Sequence, residues 1–470
     1  MADDAAPPPQ PKKQAVLLIH GIGEQRPMST LWRLVDLVWT NAPKPAHAPE
    51  RRVFSEPDEM SGVFELRRIS TNLNADGKRT DFFEYYWAHL MSDNEIGEVI
   101  AWLADLAMRP KERVPETLRK AWAMLRITLA VVAGLLALVT LSVFASGIAG
   151  LQHTNWVVIL VLVTMLLVAA WMDRTFVSPV LGDAARYLRP NPKNTECRQE
   201  IRARGLKLLE AIHDSGKYDR IVLVGHSLGG VIAYEMAVHF WGRRNRTMNT
   251  TGPVQVALAK AEEAARALQD AQDDTTARDR FRLAQNEMFE ALRTTTDADG
   301  KPLWLVSDLV TMGSPLTHAP TLLADDPDDF TLMLARHELS ACPPQFETFQ
   351  GKVRRFSYCR RPDKADDPTA TPRAPHNAAV FAAVRWTNLY FPMQGILRGD
   401  LIGGPVGKAF GPGTKDVAVR APRPGGWLPH MDYFNGETGP LWGEPGWQDH
   451  RQALREAMAL EAATAPVAPP

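Results

Sequence analysis

Charged side chains are absent from one long stretch of this 470-residue chain: residues 127–172 contain no Asp, Glu, Lys or Arg. Such a stretch is too apolar for an ordinary surface loop. Its two parts, 127–151 and 156–172, have about 25 and about 17 residues, and each is long enough for a helix that crosses a bilayer. Only a four-residue polar turn separates them. The absence of charge therefore predicts a transmembrane helical hairpin over 127–172.

Basic residues on both sides of this segment predict its orientation. They precede it at Arg109, Lys111, Arg113, Arg119, Lys120 and Arg126, and follow it at Arg174, Arg186, Arg189 and Lys193. The polar turn carries none. Because positively charged flanks stay on the cytoplasmic side of a membrane, we expect the rest of the chain to face the cytoplasm. The alternative is a buried helical hairpin in a soluble core, which would normally have a polar outer face.

Cysteine is also scarce. Cys197, Cys342 and Cys359 have no metal-ligand spacing and indicate reduced thiols. No cluster of His, Cys and carboxylates has zinc spacing, so neither a metal nor another cofactor is predicted. The formal net charge of −1 gives no general attraction to nucleic acid. The N-terminus has no apolar signal-peptide core, which makes 1–13 a disordered leader.

A GxSxG pentapeptide stands out at residues 225–229, within IVLVGHSLGGVIAY (221–234). An apolar β-branched run precedes it and an amphipathic helical pattern follows. A serine hydroxyl is a weak nucleophile, and a sharp strand-to-helix turn presents it to a base and a substrate carbonyl. Ser227 is the candidate nucleophile. The N–H of Leu228 would face the developing oxyanion. The alternative is a chance GxSxG, against which the flanking strand and helix patterns argue.

A second backbone donor is predicted near the N-terminus. The run AVLLIHGIGEQ (15–25) indicates a buried strand that leads into a His-Gly pair and a tight glycine turn. We assign the donor to the N–H of Ile22, the residue after the pair, with Gly23 as the fallback. The alternative is an ordinary strand-to-loop turn.

The candidate base is His430, because it follows a short strand-like run at 416–420 and a Pro/Gly-rich loop. In enzymes that carry the nucleophilic serine in a GxSxG turn, the catalytic histidine comes last along the chain. Loops carry catalytic groups more often than the elements they connect. The other histidines beyond the serine that compete for this role are His318, His337, His376 and His450.

The candidate acid is Asp400, the first carboxylate after a predicted strand at 384–391. An acid at this place would hold the imidazole in the correct tautomer and stabilise the imidazolium. Asp432 is an alternative, although it lies only two residues from His430. Asp308 precedes its strand and is expected at the opposite end of the sheet.

These blocks resemble the α/β-hydrolase superfamily of serine esterases and lipases, and within it the DDHD-type phospholipases and their bacterial relatives. The resemblance implies a Ser227–His430–Asp400 triad, with Leu228 and Ile22 as the oxyanion hole. Here Met393 and Gln394 stand where many relatives have the acid, and the four-residue DDHD signature is not evident. The matching segments are HGIGEQ (20–25), FFEYYWA (82–88), GDAARYL (182–188), GHSLGG (225–230), LVTMGSPL (309–316), WTNLYFP (386–392) and HMDYF (430–434).

The expected architecture is an α/β-hydrolase fold, a mostly parallel sheet flanked by helices, with an inserted transmembrane hairpin and a lid-like helical insertion. The helix-forming composition of 243–301 would also suit a partner-binding arm or a hairpin packed on the side of the domain. The predicted order is leader 1–13, hydrolase segment 14–126, hairpin 127–172, hydrolase segment 173–242, helical insertion 243–301, hydrolase segment 302–455 and flexible tail 456–470.

The predicted function is a membrane-anchored serine hydrolase that cleaves carboxylic esters, with lipid or phospholipid acyl esters as the first substrates. It would be integral to a bacterial inner membrane, with the bilayer and the ester as partners, no nucleic acid, and a possible further partner at the helical insertion. The alternatives are a lipase-type antibacterial toxin, a hydrolase of soluble acyl esters or thioesters, and a non-catalytic membrane scaffold.

Overall fold

The structure is a computed structural model. It describes residues 13–22, 26–42, 50–74, 77–91, 192–246, 248, 250–364, 367, 369–394, 398–400, 402–422, 429–436 and 441–460, with isolated positions between 108 and 188. Residues 1–12 of the predicted leader (1–13) and residues 461–470 of the predicted tail (456–470) lie outside the described residues, whereas Lys13 begins a strand and a helix extends to Ala457.

The described strands follow the order of the chain. They are β1 (Lys13–Ile19), β2 (Val53–Pro57), β3 (Arg67–Thr71), β4 (Arg79–Tyr85), β5 (Arg220–His226), β6 (Val306–Met312), β7 (Glu347–Phe349), β8 (Val353–Arg355), β9 (Ser357–Cys359), β10 (Arg373–Pro375), β11 (Arg385–Tyr390), β12 (Lys415–Arg420) and β13 (Gln448–Asp449).

A nine-stranded mixed sheet forms the centre, in the order β13-β12-β11-β6-β5-β1-β4-β3-β2. The strands from β13 to β4 pair in parallel, whereas β2, β3 and β4 pair antiparallel. Two small antiparallel pairs, β7–β8 and β9–β10, lie outside it. Because the carboxyl ends of neighbouring parallel strands meet at one edge, the segments that follow β1, β5, β6 and β11 come together there.

Helices cover both faces of this sheet, as the nearly continuous burial of β1, β5 and β6 requires. A π-helical turn, Asp36–Thr40, directly follows the first helix, Ser29–Val35. The helices are α1 (Ser29–Val35), α2 (Pro192–Asp214), α3 (Leu228–Asn245), α4 (Pro253–Asp270), α5 (Thr275–Thr294), α6 (Ala319–Leu322), α7 (Pro327–Ala335), α8 (Gly407–Phe410) and α9 (His450–Ala457).

The described residues form two apolar cores, one on each face of the sheet. The larger contains the inward sides of α2, α3, α4 and α5, with Phe240, Trp241 and Trp304 buried at its centre. The smaller contains α1 and α9, with Trp39 and Leu454 against alternate side chains of β1, β5 and β6. Alternation along each strand divides its residues between the two cores.

The predicted helical insertion does form two helices, α4 and α5, which pack against each other and into the larger core. Arg282 on α5 donates a hydrogen bond to the carbonyl oxygen of Trp386 at 2.8 Å, where β11 begins. Arg293 lies 3.8 Å from Asp219, just before β5 begins. These contacts are with the amino ends of the strands, opposite the edge that carries Ser227. The lid-like position is therefore wrong for the described structure, and the hairpin packs on the side of the domain.

The structure contradicts the predicted transmembrane hairpin and the integral inner-membrane placement derived from it. Within the described residues, no helix combines the length and the apolar character that a membrane crossing requires. Residues 127–172 lie outside the described part, apart from isolated positions such as Ile127 and Gly134. The longest described helices, α2 and α5, carry charged side chains throughout, whereas a spanning helix needs about 20 mainly apolar residues. The prediction rests on the absence of charge, on the lengths of the two apolar runs and on the basic flanks.

Candidate active site

Ser227 occupies a sharp turn between β5 and α3. Its φ of +54° and ψ of −128° place a residue with a side chain in a backbone region that is costly for it. The Ser227 N–H donates to the carbonyl oxygen of Met312 at 2.9 Å, and the Ser227 carbonyl oxygen accepts the Gly230 N–H at 2.9 Å. These two hydrogen bonds hold the turn between the end of β6 and the first turn of α3.

Close packing explains both glycines of the pentapeptide. A Cβ atom on Gly225 would overlap the backbone of Gly229 and Gly230, and one on Gly229 would overlap the carbonyl oxygens of Ile19 and His20. The first turn of α3 therefore lies against the ends of β5 and β1 without intervening side chains. This contact brings the segment after β1 next to the serine.

Three of the predicted site residues meet in one hydrogen-bonded chain. The Oγ of Ser227 lies 3.0 Å from Nε2 of His430. The Nδ1 atom of His430 lies 3.0 Å from each carboxylate oxygen of Asp400. A carboxylate only accepts hydrogen bonds, so Nδ1 carries the proton and Nε2 is left to accept the serine hydroxyl. The ring is therefore in the tautomer that a general base requires.

Asp400 is a buried carboxylate that accepts several hydrogen bonds. Its Oδ1 accepts the Ile402 N–H at 2.9 Å, and its Oδ2 accepts the Tyr433 hydroxyl at 3.0 Å. Burial alone would raise the pKa of Asp400. The charge of His430 and the hydrogen bonds from His430, Gly403 and Ile402 outweigh burial and hold that pKa below its usual value. Asp400 is thus an ionised partner for the imidazole at neutral pH.

Tyr433 connects this carboxylate to the sheet. Its hydroxyl accepts the Phe391 N–H at 3.1 Å and donates to Asp400. Burial, together with the negative charge of Asp400, raises the pKa of Tyr433 far above its usual value, so the proton stays on the phenol. The ring lies against the position of a Cβ atom on Gly313, whose φ is +54°. A larger residue at Gly313 would push Tyr433 away from Asp400.

His226, directly before Ser227, holds the backbone of His430. Its Nε2–H donates to the carbonyl oxygen of His430 at 3.0 Å, and the two rings lie 5.1 Å apart. Burial and the charge of His430 lower the pKa of His226 to about 3. A neutral His226 places no second positive charge beside His430 when His430 takes up a proton.

The predicted oxyanion loop lies beside the serine. A Cβ atom on Gly21 would meet the Ser227 Cβ at 3.0 Å, so the two backbones are in close contact. Ile22 is half-buried against the larger core, and Leu228 is the first residue of α3. Neither of their N–H groups donates a hydrogen bond to another described residue. Gly23, the fallback donor, lies outside the described residues.

His20 fixes the shape of this loop. Its Nδ1–H donates to the Gly21 carbonyl oxygen at 2.7 Å, and its Nε2 accepts the Trp87 N–H at 3.2 Å. The indole of Trp87 returns a hydrogen bond to the His20 carbonyl oxygen at 3.0 Å and stacks on the ring. Burial lowers the pKa of His20 to about 4, so both bonds persist at neutral pH.

Asp308, expected at the opposite end of the sheet, and Asp432, the alternative acid, have other positions. Asp308 is near the start of β6, where it pairs with Arg220 and Arg385. Asp432 is buried in the same 3-10 turn as His430, yet the imidazole faces Asp400.

The rival histidines occupy other elements of the fold. His318 ends a 3-10 turn, and His337 stacks on His376. His450 starts α9 and lies 3.0 Å from the Asn435 carbonyl oxygen. In the described part of the chain, no three or more His, Cys, Asp or Glu residues are placed to hold a metal ion.

The sequence did not assign roles to Tyr433, His226 or Trp87. Tyr433 and His226 stand inside two of the quoted segments, HMDYF and GHSLGG, which was the available signal. Trp87 stands in FFEYYWA. Their hydrogen bonds join parts of the chain that are far apart, and a sequence pattern does not reveal those pairings.

Comparison with protein-family models, with curated proteins and with solved structures finds no match for this chain. A function for this chain is therefore inferred from the geometry of the site and from the resemblance of its motifs.

Proposed function

We propose that this protein is a serine hydrolase that cleaves carboxylic esters through an acyl-enzyme intermediate. The observation that supports it most directly is the chain Ser227 Oγ, His430 Nε2, His430 Nδ1 and Asp400, with 3.0 Å at each step. A nucleophile, a base within hydrogen-bond reach and a group that orients the base make up the arrangement that acyl transfer needs.

The first half-reaction transfers the acyl group to the protein. The Ser227 oxygen attacks the ester carbonyl carbon while His430 Nε2 removes the hydroxyl proton. The carbonyl oxygen becomes an oxyanion, to which the N–H groups of Leu228 and Ile22 donate hydrogen bonds. When this intermediate collapses, His430 gives its proton to the leaving alkoxide, and an alcohol departs.

The second half-reaction restores the serine. A water molecule attacks the acyl-enzyme carbon, and His430 removes its proton. Collapse of the new oxyanion breaks the bond to Ser227 and releases a carboxylic acid, while His430 returns its proton to the serine oxygen. Asp400 stays ionised throughout and stabilises the imidazolium each time it forms.

Lipid or phospholipid acyl esters are the narrower part of the proposal. The support for them is the resemblance of HGIGEQ, GHSLGG and HMDYF to the segments of DDHD-type phospholipases. The membrane hairpin no longer contributes to this argument. Acyl esters as a class follow from the site chemistry, whichever alcohol or acyl chain the substrate carries.

Hydrolysis of p-nitrophenyl esters tests the proposal. We expect turnover by the wild-type chain and its loss in Ser227→Ala and His430→Ala. Ser215→Ala, in the turn after α2, is the matched control and should keep full activity. Equal rates in wild type and Ser227→Ala would contradict the proposal. Diacyl phospholipid in mixed micelles, assayed with the same variants, tests the narrower substrate class.

A further inference from the structure

A cleft of about 730 Å³ opens between the outer faces of α2 and α3. Basic side chains from both helices, and from the turn after α7, surround it. The basic side chains that line it are Arg198, Arg202, His239, Arg243, Arg246 and His337.

Few carboxylates balance these groups. Arg202 is paired with Glu235, which also accepts the hydroxyl of Tyr187. Among the described residues, the side chains of Arg243 and Arg246 form no ion pair, and Glu338 is the one acidic residue of the lining. The cleft therefore carries an excess of positive charge.

Arg198 is destabilised in its charged form within this cleft. Its Nε is buried and has no hydrogen-bond partner among the described residues, and its guanidinium lies 5.7 Å from the ring centre of Tyr187. Burial and the like charge of Arg202 lower the pKa of Arg198. An anion in the cleft would supply the missing acceptor and reduce the repulsion between the two guanidinium groups.

His337 also lines the cleft, and its Nδ1 lies 3.8 Å from Oε1 of Glu347. Its Nε2 is buried without a hydrogen-bond partner in the described structure, and its ring stacks on His376 with 3.9 Å between the centroids. Its φ is +61°, in a region that is unfavourable for a residue with a side chain. Residues held in such conformations concentrate at ligand sites and active sites.

The cleft is remote from Ser227. Arg243 follows Ser227 by 16 positions along one helix, which corresponds to about 24 Å at the rise of an α-helix. A small molecule held by Arg243 and Arg198 is therefore too far away to present an ester to the serine.

We propose that this cleft is a second binding site, which takes a small ligand that bears a phosphate group. Guanidinium groups donate paired hydrogen bonds that match phosphate oxygens, and several of them around one volume suit a group with more than one negative charge. The volume lies within the range of about 300–1,000 Å³ typical of small-ligand pockets, so the ligand can be larger than phosphate itself.

Isothermal titration calorimetry with pyrophosphate tests this site on the full chain at low ionic strength. We expect saturable binding to the wild-type chain and a loss of affinity of about tenfold or more in Arg198→Gln and in Arg243→Gln, because each removes charged hydrogen bonds. Arg280→Gln, on the exposed side of α5, removes the same charge elsewhere and should bind as the wild type does. Ser227→Ala should also bind normally, which separates this proposal from the hydrolase proposal.

Arg243 is exposed, so Arg243→Gln should keep the thermal unfolding temperature of the wild type even if Arg198→Gln does not. No saturable binding to the wild type would overturn the proposal. An equal loss of pyrophosphate affinity in Arg243→Gln and Arg280→Gln would also overturn it. Tighter binding of citrate than of pyrophosphate would overturn the assignment to phosphate.

Discussion

The hydroxyl of Tyr433 donates a hydrogen bond of 3.0 Å to the carboxylate of Asp400. The same oxygen accepts a backbone N–H from the segment that follows β11. Tyr433 thereby connects the candidate acid to the central sheet, and it does so from three residues beyond the candidate base. The position of Asp400 depends on the loop that carries His430 as well as on its own.

Tyr433→Phe removes this donor and keeps the ring. We expect kcat on a p-nitrophenyl ester to fall about tenfold or more, because a hydrogen bond to a charged group contributes about 1.5–3 kcal/mol. The unfolding temperature should also fall, since the Phe391 N–H loses its acceptor. Tyr358→Phe, in the small β9–β10 pair, is the control. An unchanged kcat in Tyr433→Phe would contradict the role given to this phenol.

Asp400→Asn and Asp432→Asn distinguish the two candidate acids. An amide at 400 can donate to Nδ1 and favour the wrong imidazole tautomer, so we expect kcat to fall by about 10⁴. Asp432→Asn should lower kcat far less, because the imidazole does not face that side chain. Steady-state kinetics on one ester decides between them. A larger loss in Asp432→Asn would transfer the role of acid to Asp432.

Gly229→Ala tests the close contact between α3 and β1. The added methyl group would overlap two carbonyl oxygens, so the helix must shift and carry Ser227 with it. We expect destabilisation of about 3 kcal/mol or more, the range of severe steric changes, and loss of activity. Denaturant unfolding measures the destabilisation.

Gly242→Ala lies in the same helix and is its matched control. The nearest atom to its Cβ is 3.9 Å away, in ordinary contact. Because alanine is the better helix former by up to about 1 kcal/mol, this change should leave stability equal or higher. Similar destabilisation by both substitutions would contradict the packing argument.

Stability should decrease as the pH falls from 6.5 towards 4. Burial lowers the pKa of His20, His213 and His376 to about 4 and that of His226 to about 3. The unfolded chain takes up protons near pH 6.5, whereas the folded chain resists them. These depressed values therefore stabilise the fold fully above pH 6.5, and the contribution is lost as the pH falls through the folded values.

Each of these histidines contributes a slope of up to about 1.4 kcal/mol per pH unit within this window. Urea unfolding at several pH values measures it. His376→Gln should reduce the slope by the share of one histidine and leave the remainder. A free energy of unfolding that stays constant from pH 6.5 to 4.5 would contradict the neutral, buried state of these side chains.

Local patterns indicate several strands of the central sheet and the candidate residues that follow them. The apolar run before Ser227 becomes β5, and the run before His20 becomes β1, since a parallel strand covered on both faces has few polar positions. Asp400 was found as the first carboxylate after β11. The strand-like run at 416–420 and the chain order both indicate His430, and the fold brings it next to Asp400 and Ser227 at one edge.

Other features depend on pairings that a sequence does not display. The hydrogen bonds of Tyr433 and His226 join separate loops. From the sequence alone, both rings would be interpreted as side chains that only pack in the core. The composition of 243–301 predicted helices, but a thin apolar stripe does not say which edge of a sheet they cover. The hairpin prediction at 127–172 rests on the absence of charge, on the lengths of the two apolar runs and on the basic flanks, all of which are local features of the sequence.

The most direct test of the serine hydrolase account is the mass of the chain after reaction with a fluorophosphonate probe, followed by peptide mapping. If Ser227 is the nucleophile, we expect one covalent adduct on Ser227 in the wild type, no adduct in Ser227→Ala, and greatly slowed labelling in His430→Ala. An adduct on a different residue, or a wild-type chain that stays unlabelled while fully folded, would contradict it.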